Sequence, residues 1–132
     1  MVRQRRRRDR EGAAVDDVVL ARAHGSFNTA GGLRPLVHMR SFEAVLGTKT
    51  DRWLVQTVAG LMLGNGLVQT FATPSPDGLA AARRVGLATA LTLATIDAVY
   101  APAGRISKIY LLDAVLELGW VAAWLAARRR PS

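Results

Sequence analysis

Residues 53–71 read WLVQTVAGLMLGNGLVQTF, nineteen consecutive positions without a formal charge. As a helix rising about 1.5 Å per residue, the stretch extends roughly 29 Å, close to the hydrocarbon thickness of a bilayer. A helix in a small water-soluble bundle needs a charged stripe for its outer face, and this one has none. The pattern then recurs twice. Residues 85–101 (VGLATALTLATIDAVYA) follow Arg83 and Arg84, and residues 109–127 (IYLLDAVLELGWVAAWLAA) are stopped by Arg128-Arg129-Arg130-Pro131. Turn-rich segments at 72–78 (ATPSPDG) and 102–105 (PAGR) separate the runs. Trp53, Phe71, Tyr100, Tyr110 and Trp124 fall at or near the run ends, as an interfacial aromatic belt would. The expected fold is an all-α membrane protein with three transmembrane helices, over about 53–71, 79–101 and 107–127.

Upstream, residues 36–46 (LVHMRSFEAVL) place Leu36, Met39, Phe42, Val45 and Leu46 at helical spacing, with Arg40 and Glu43 on another side. That suits a short amphipathic helix lying in the headgroup layer. Gly47 ends it, and residues 48–52 form a polar hinge. Residues 1–33 are expected to be a disordered basic tail, since Arg5-Arg6-Arg7-Arg8 cannot enter a core and Gly25-Ser26 and Gly31-Gly32 interrupt the rest. The division is thus a tail over 1–33 and a membrane domain over 34–132, with an internal start at Met39 as a second reading of the same region. No short apolar core directly follows the basic run, so no cleavable signal peptide is expected. With apolar spans downstream, contact of Arg5 to Arg8 with anionic lipid headgroups is favoured over nucleic-acid binding.

Of 18 basic residues, 11 lie within 1–52. A cytoplasmic N-terminus puts 13 of them inside and 5 outside, which favours N-in, C-out, with the 102–105 turn cytoplasmic. Arg outnumbers Lys 16 to 2, a bias that points to a GC-rich bacterial genome.

Several chemistries are excluded. The chain has no cysteine, hence no disulfide, thiolate metal site or Cys nucleophile. His24 and His38 are isolated and no HExxH pairing exists, so no metal site or cofactor is expected. The glycines from 60 to 66 lack the Lys of a phosphate loop, and no nucleophile elbow is present. The chain does not read as an enzyme.

What remains is a set of polar and small residues within the spans. Asp97, Asp113 and Glu117 are intramembrane acids, which are costly and by default suggest function; Glu117 near the centre of its helix costs about 3 kcal/mol on an insertion scale. Asp97 and Asp113 lie eight residues either side of Arg105, so a helical hairpin would bring them to one depth, near Arg105, Lys108 and Arg52 as ion-pair partners. Glu117 follows Asp113 at i+4 and shares a face with Trp120 and Trp124. Asn65 offers Glu117 a neutral partner. Gly60 and Gly64, and Gly86 with Ala90 and Ala94, form small-xxx-small stripes suited to packing within the chain or with another helix.

Residues 40–55 (RSFEAVLGTKTDRWLV) and 109–118 (IYLLDAVLEL) resemble an uncharacterised family of small bacterial multi-pass membrane proteins. The resemblance covers about residue 34 to the C-terminus and implies the membrane location without adding an activity. Three roles follow as expectations. The first is a non-enzymatic subunit of the bacterial cytoplasmic membrane that packs with itself or with a larger membrane partner. The second is an oligomeric proton- or ion-coupled transporter using Glu117 and Asp113. The third is a soluble basic protein that binds nucleic acid through residues 3–10.

Overall fold

The computed structural model describes residues 1–128. Five helices follow one another: α1 (Val2–Val37), α2 (Met39–Leu46), α3 (Arg52–Thr70), α4 (Pro76–Tyr100) and α5 (Tyr110–Arg128). The fold is all-helical, with no strand among the described residues. Arg129, Arg130 and Pro131, read above as the stop of the third span, lie outside them.

Local sequence sets several boundaries. Ser75 caps α4 by accepting a hydrogen bond from the Gly78 amide at 3.1 Å, and Pro76 takes the first helical turn, where it has no N–H to lose. Asp77 adds a negative charge beside the positive end of the helix dipole. His38 caps α2, its Nδ1 accepting from the Ser41 amide at 3.1 Å. Gly47, at φ 91, closes α2, and Gly104, at φ 75, shapes the α4–α5 turn; both lie in the left-handed region that a side chain disfavours.

The long helices alternate in direction. Gly25 of α1 meets Gly66 and Thr70 of α3, while Gly32 meets Ala59 and Leu63, so the two run antiparallel. α3 and α4 are antiparallel too: Asn65 bonds Thr89, and Gln69 reaches the Ala82 carbonyl. α5 returns along α4 until Trp124 stands level with Gly86 and His24. α2 bridges α1 and α3 at the end of the bundle that carries the α4–α5 turn. There Lys49 Nζ lies 4.8 Å from the Tyr110 ring centroid, and Arg52 pairs with Glu43 at 2.8 Å. Burial lowers the pKa of Lys49, and the Glu43 carboxylate opposes that shift.

Two expectations are corrected. The first concerns the tail. Residues 1–33 are not disordered but helical, continuous from Val2 to Val37. Ala21, Gly25, Asn28 and Gly32 are spaced 4, 3 and 4 apart, which sets them on one helical face, and all four are buried. The glycines expected to break the segment are where it touches α3. A methyl group added at Gly66 would come within 2.5 Å of the Thr29 amide nitrogen and 2.7 Å of the Gly25 carbonyl oxygen. Backbones this close exclude any larger side chain. The arginine-rich first ten residues, by contrast, are exposed, and the i,i+4 pair Arg7–Glu11 at 2.9 Å lies on that solvated arm.

The second correction is the number of apolar spans. Among the described residues two helices, α4 and α5, are long and apolar enough to cross a membrane, not three. α3 falls short because Gln56, Asn65 and Gln69 dilute its apolar residues.

The distribution of side chains across the bundle is inverted relative to a water-soluble one. Apart from Trp124 and Pro35, the buried apolar side chains among the described residues are all alanines, and the buried polar ones include His24, Asn28, Gln69, Asp97 and Glu117. Leu61, Val68, Leu112, Val115 and Leu118 are exposed, each by more than half of its surface.

The close α1–α3 contact makes a specific demand on side-chain size. Gly66→Ala is expected to lower the unfolding free energy in mild detergent by about 1–3 kcal/mol through overpacking against backbone. Gly60→Ala, with open space around its added methyl, should be neutral or raise stability by up to about 1 kcal/mol. Equal responses would contradict the contact.

Candidate functional site

Four helices meet in one polar layer. Gln69 of α3 stands at its centre, fully buried. Its Oε1 accepts from Asn28 Nδ2 at 2.8 Å, and its Nε2 faces His24 Nδ1 at 3.1 Å and the Ala82 carbonyl at 3.5 Å. Trp124 of α5 donates its indole N–H to the same His24 Nδ1 at 2.9 Å. An indole nitrogen only donates, so Nδ1 must present its lone pair and Nε2 carries the imidazole proton. That Nε2 has no hydrogen-bond partner. The His24 ring is instead held by its faces, stacked on Trp120 with centroids 4.6 Å apart and planes 12° apart. Phe27 also meets the Trp120 ring, tilted by 51° with centroids 5.6 Å apart.

Gly86 is the α4 contribution to this layer, and it contributes space. A methyl group there would lie 2.5 Å from Gln69 Nε2, 2.8 Å from Trp124 Nε1 and 2.9 Å from His24 Nδ1. The three polar groups converge on a position of α4 that has no side chain. Ala82, Ala90 and Ala94 continue this small-residue face, all of them buried.

The acids form a second cluster. Asp97 and Asp113 face each other across the α4–α5 hairpin closely enough for their side chains to interact, and Glu117 lies within electrostatic reach of both. Asp97 and Glu117 are 3% and 1% exposed, whereas Asp113 is half-buried. Among the described residues no Arg or Lys pairs with any of the three; Arg52, expected as a partner, is taken by Glu43. Asn65, expected opposite Glu117, donates to Thr89 Oγ1 at 3.1 Å instead. Gly60 and Gly64 pack nothing within the chain, since both face outward into open space.

Sequence reasoning misses the layer itself, because along the chain His24 is an isolated histidine within the expected tail and Gln69 is one uncharged residue of the 53–71 run. The available signal was the small-residue stripe Ala21, Gly25 and Gly32 with His24 and Asn28 beside it, an i,i+4 polar pair on a packing face. Two shallow surface depressions lie along the N-terminal half of α1, one against Pro74 and the other among the arginines, and neither is lined by a residue of the two clusters. No group of three His, Asp or Glu side chains among the described residues is placed to hold a metal ion. Donors and acceptors in the layer are mostly turned on one another, which suits joining helices better than acting on a substrate. Compared with known protein families, with characterised proteins and with solved structures, the chain matches none.

The layer's members are not equivalent. Gln69→Leu strands Asn28 and removes one of two donors from His24, and each buried polar group left unpaired costs about 1–3 kcal/mol. Trp124→Phe keeps the ring and leaves His24 Nδ1 its Gln69 donor, for a loss of about 1 kcal/mol. Unfolding of both variants in detergent should rank Gln69→Leu as the more damaging, and the reverse order would remove Gln69 from the centre.

Proposed function

We propose that the protein is a multi-pass integral protein of the bacterial cytoplasmic membrane and acts as a non-enzymatic packing subunit, with itself or with a larger membrane partner. The observation that carries this reading is the inverted distribution of side chains. Alanines, glycines and paired amides fill the interior, and leucines and valines cover the outside. In water that exterior would be a large apolar patch prone to association. In lipid it is the matching surface, and close packing of small residues with interhelical hydrogen bonds becomes what holds helices together. The apolar lengths of α4 and α5 support the same reading. Gly60 and Gly64 leave an uncovered small-residue strip on α3, a surface on which a further helix can pack closely.

The protein is expected to stay in the membrane pellet through washes with carbonate and with high salt. An attachment made only through the arginine-rich arm would be screened by salt and released. Recovery in the wash would sink the membrane reading.

A second reading is an oligomeric proton- or ion-coupled transporter built on Glu117 and Asp113. What favours it is that Asp97 Oδ2 and Glu117 Oε2 are buried and, among the described residues, have neither a hydrogen-bond partner nor a basic residue paired with them. Glu117→Gln keeps shape and hydrogen-bonding capacity. In the packing role it leaves oligomeric state and proton permeability of reconstituted vesicles unchanged, which is the expected outcome. Loss of a wild-type proton flux, with assembly intact, would establish the transporter instead.

A further inference from the structure

We infer that α1 crosses the bilayer beside α3, so that four helices share membrane depth and both chain termini emerge from one arginine-rich cytoplasmic face. This rests on the reading of α4 and α5 as membrane-crossing helices. Depth is then a matter of contact. Trp124 of α5 is bonded to His24 of α1, Gln69 of α3 faces the same imidazole, and all three converge on Gly86 of α4. Gly86 lies ten residues into α4, roughly 15 Å along its axis, well inside the helix. Further along, Gly32 of α1 is still against Ala59 and Leu63 of α3, while Asn65 of α3 is bonded to Thr89 of α4. A helix in side-by-side contact over that length cannot lie in water while its neighbours lie in lipid.

Composition conceals this crossing. Of the polar residues of α1 at this depth, His24 and Asn28 are fully buried in the bundle and Thr29 returns its hydroxyl to the Gly25 carbonyl, while the outward positions are Ser26 together with small or apolar residues such as Ala23, Ala30 and Leu33. Lipid therefore meets a face of small side chains, Ser26 its one hydroxyl, although the segment as a whole is not apolar. Arg22 and Arg34 bracket it, twelve residues or roughly 18 Å apart, where long side chains can reach the headgroups.

The crossing also redistributes charge. The arm from Arg3 to Arg10, Arg22, Arg83, Arg84 and Arg128 gather at one end, ten basic residues in all. Arg34, Arg40, Lys49, Arg52, Arg105 and Lys108 gather at the other, six in all. The positive-inside rule places the first end in the cytoplasm. With three crossings, residues 1–52 and the 102–105 turn share one side and the C-terminus lies on the opposite side. With four, the turn lies outside and the C-terminus returns to the cytoplasm. Headgroup contact also moves: Arg5 to Arg8 stand about 20–25 Å beyond Arg22 along the helix, more than two Debye lengths. Arg22, Arg83 and Arg84 take the level nearest the lipid.

The chain has no cysteine, so Gly12→Cys and Ala103→Cys each introduce a single thiol at an exposed position. Intact cells would be treated with a membrane-impermeant maleimide, with Ala14→Cys and Lys108→Cys as neighbouring repeats and a reporter fused after the last residue. The expected result is labelling at 103 and 108, labelling at 12 and 14 only after lysis, and a cytoplasmic reporter. Protection of all four sites with an external reporter overturns the crossing of α1, and labelling at 12 and 14 but not at 103 and 108 overturns the orientation. Release of these variants by carbonate identifies failure of the membrane reading itself, which overturns both.

Discussion

The rest of the structure depends on the convergence of Gln69, His24 and Trp124 over Gly86. It is the layer in which all four long helices meet, and three of its groups are hydrogen-bonding side chains with no access to water. A buried amide or imidazole without a partner is destabilising by about 1–3 kcal/mol, so each of these groups fixes the position of the next. Gln69 binds Asn28 and His24 together through its two ends, and His24 passes the constraint to α5 through Trp124. Gly86 is the geometric condition for all of this, because any side chain there would occupy the space the three polar atoms share.

From that layer the α1–α3 contact follows. Once His24 and Asn28 are held against Gln69, the glycines at 25 and 32 are pressed onto the backbone of α3, and the helix is held over several turns. The attraction is dispersion and shape, not burial of large apolar side chains, which are almost absent from the interior. Such an interior gains little from the hydrophobic effect in water, while the leucine- and valine-rich exterior would be costly there. The same chain in lipid has its apolar surface where apolar solvent is.

The acidic cluster stands apart from this scheme. The α4–α5 hairpin sets Asp97 against Asp113, with Glu117 one turn further along α5. The basic residues near the hairpin are engaged elsewhere or stay at the bundle end: Arg52 holds Glu43, and Lys49 lies over Tyr110. Three carboxyls therefore lie together at the α4–α5 face with no cation paired to them among the described residues, a costly arrangement in a packed interior.

Sequence alone determined the helical class, the apolar lengths of α4 and α5, and the turns at 72–78 and 102–105. Each of these is local. Periodicity, uninterrupted apolar length and the Pro, Ser and Gly residues of a cap or turn act within a few positions of one another. The meeting of Asp97 and Asp113 was legible for the same reason, since a short turn about Arg105 sets the two at equal distances along the paired helices. Tertiary structure alone decided the fate of residues 1–33 and the role of Gln69. A glycine breaks an isolated helix through backbone entropy, yet it permits the closest approach once a second helix is alongside, and nothing at Gly25 or Gly32 distinguishes the two uses. Their partners are Thr70, Gly66 and Ala59, some 27 to 45 residues away. A polar side chain likewise reads as solvated until a donor or acceptor arrives from another helix, and His24 receives its own from Trp124, a hundred residues on.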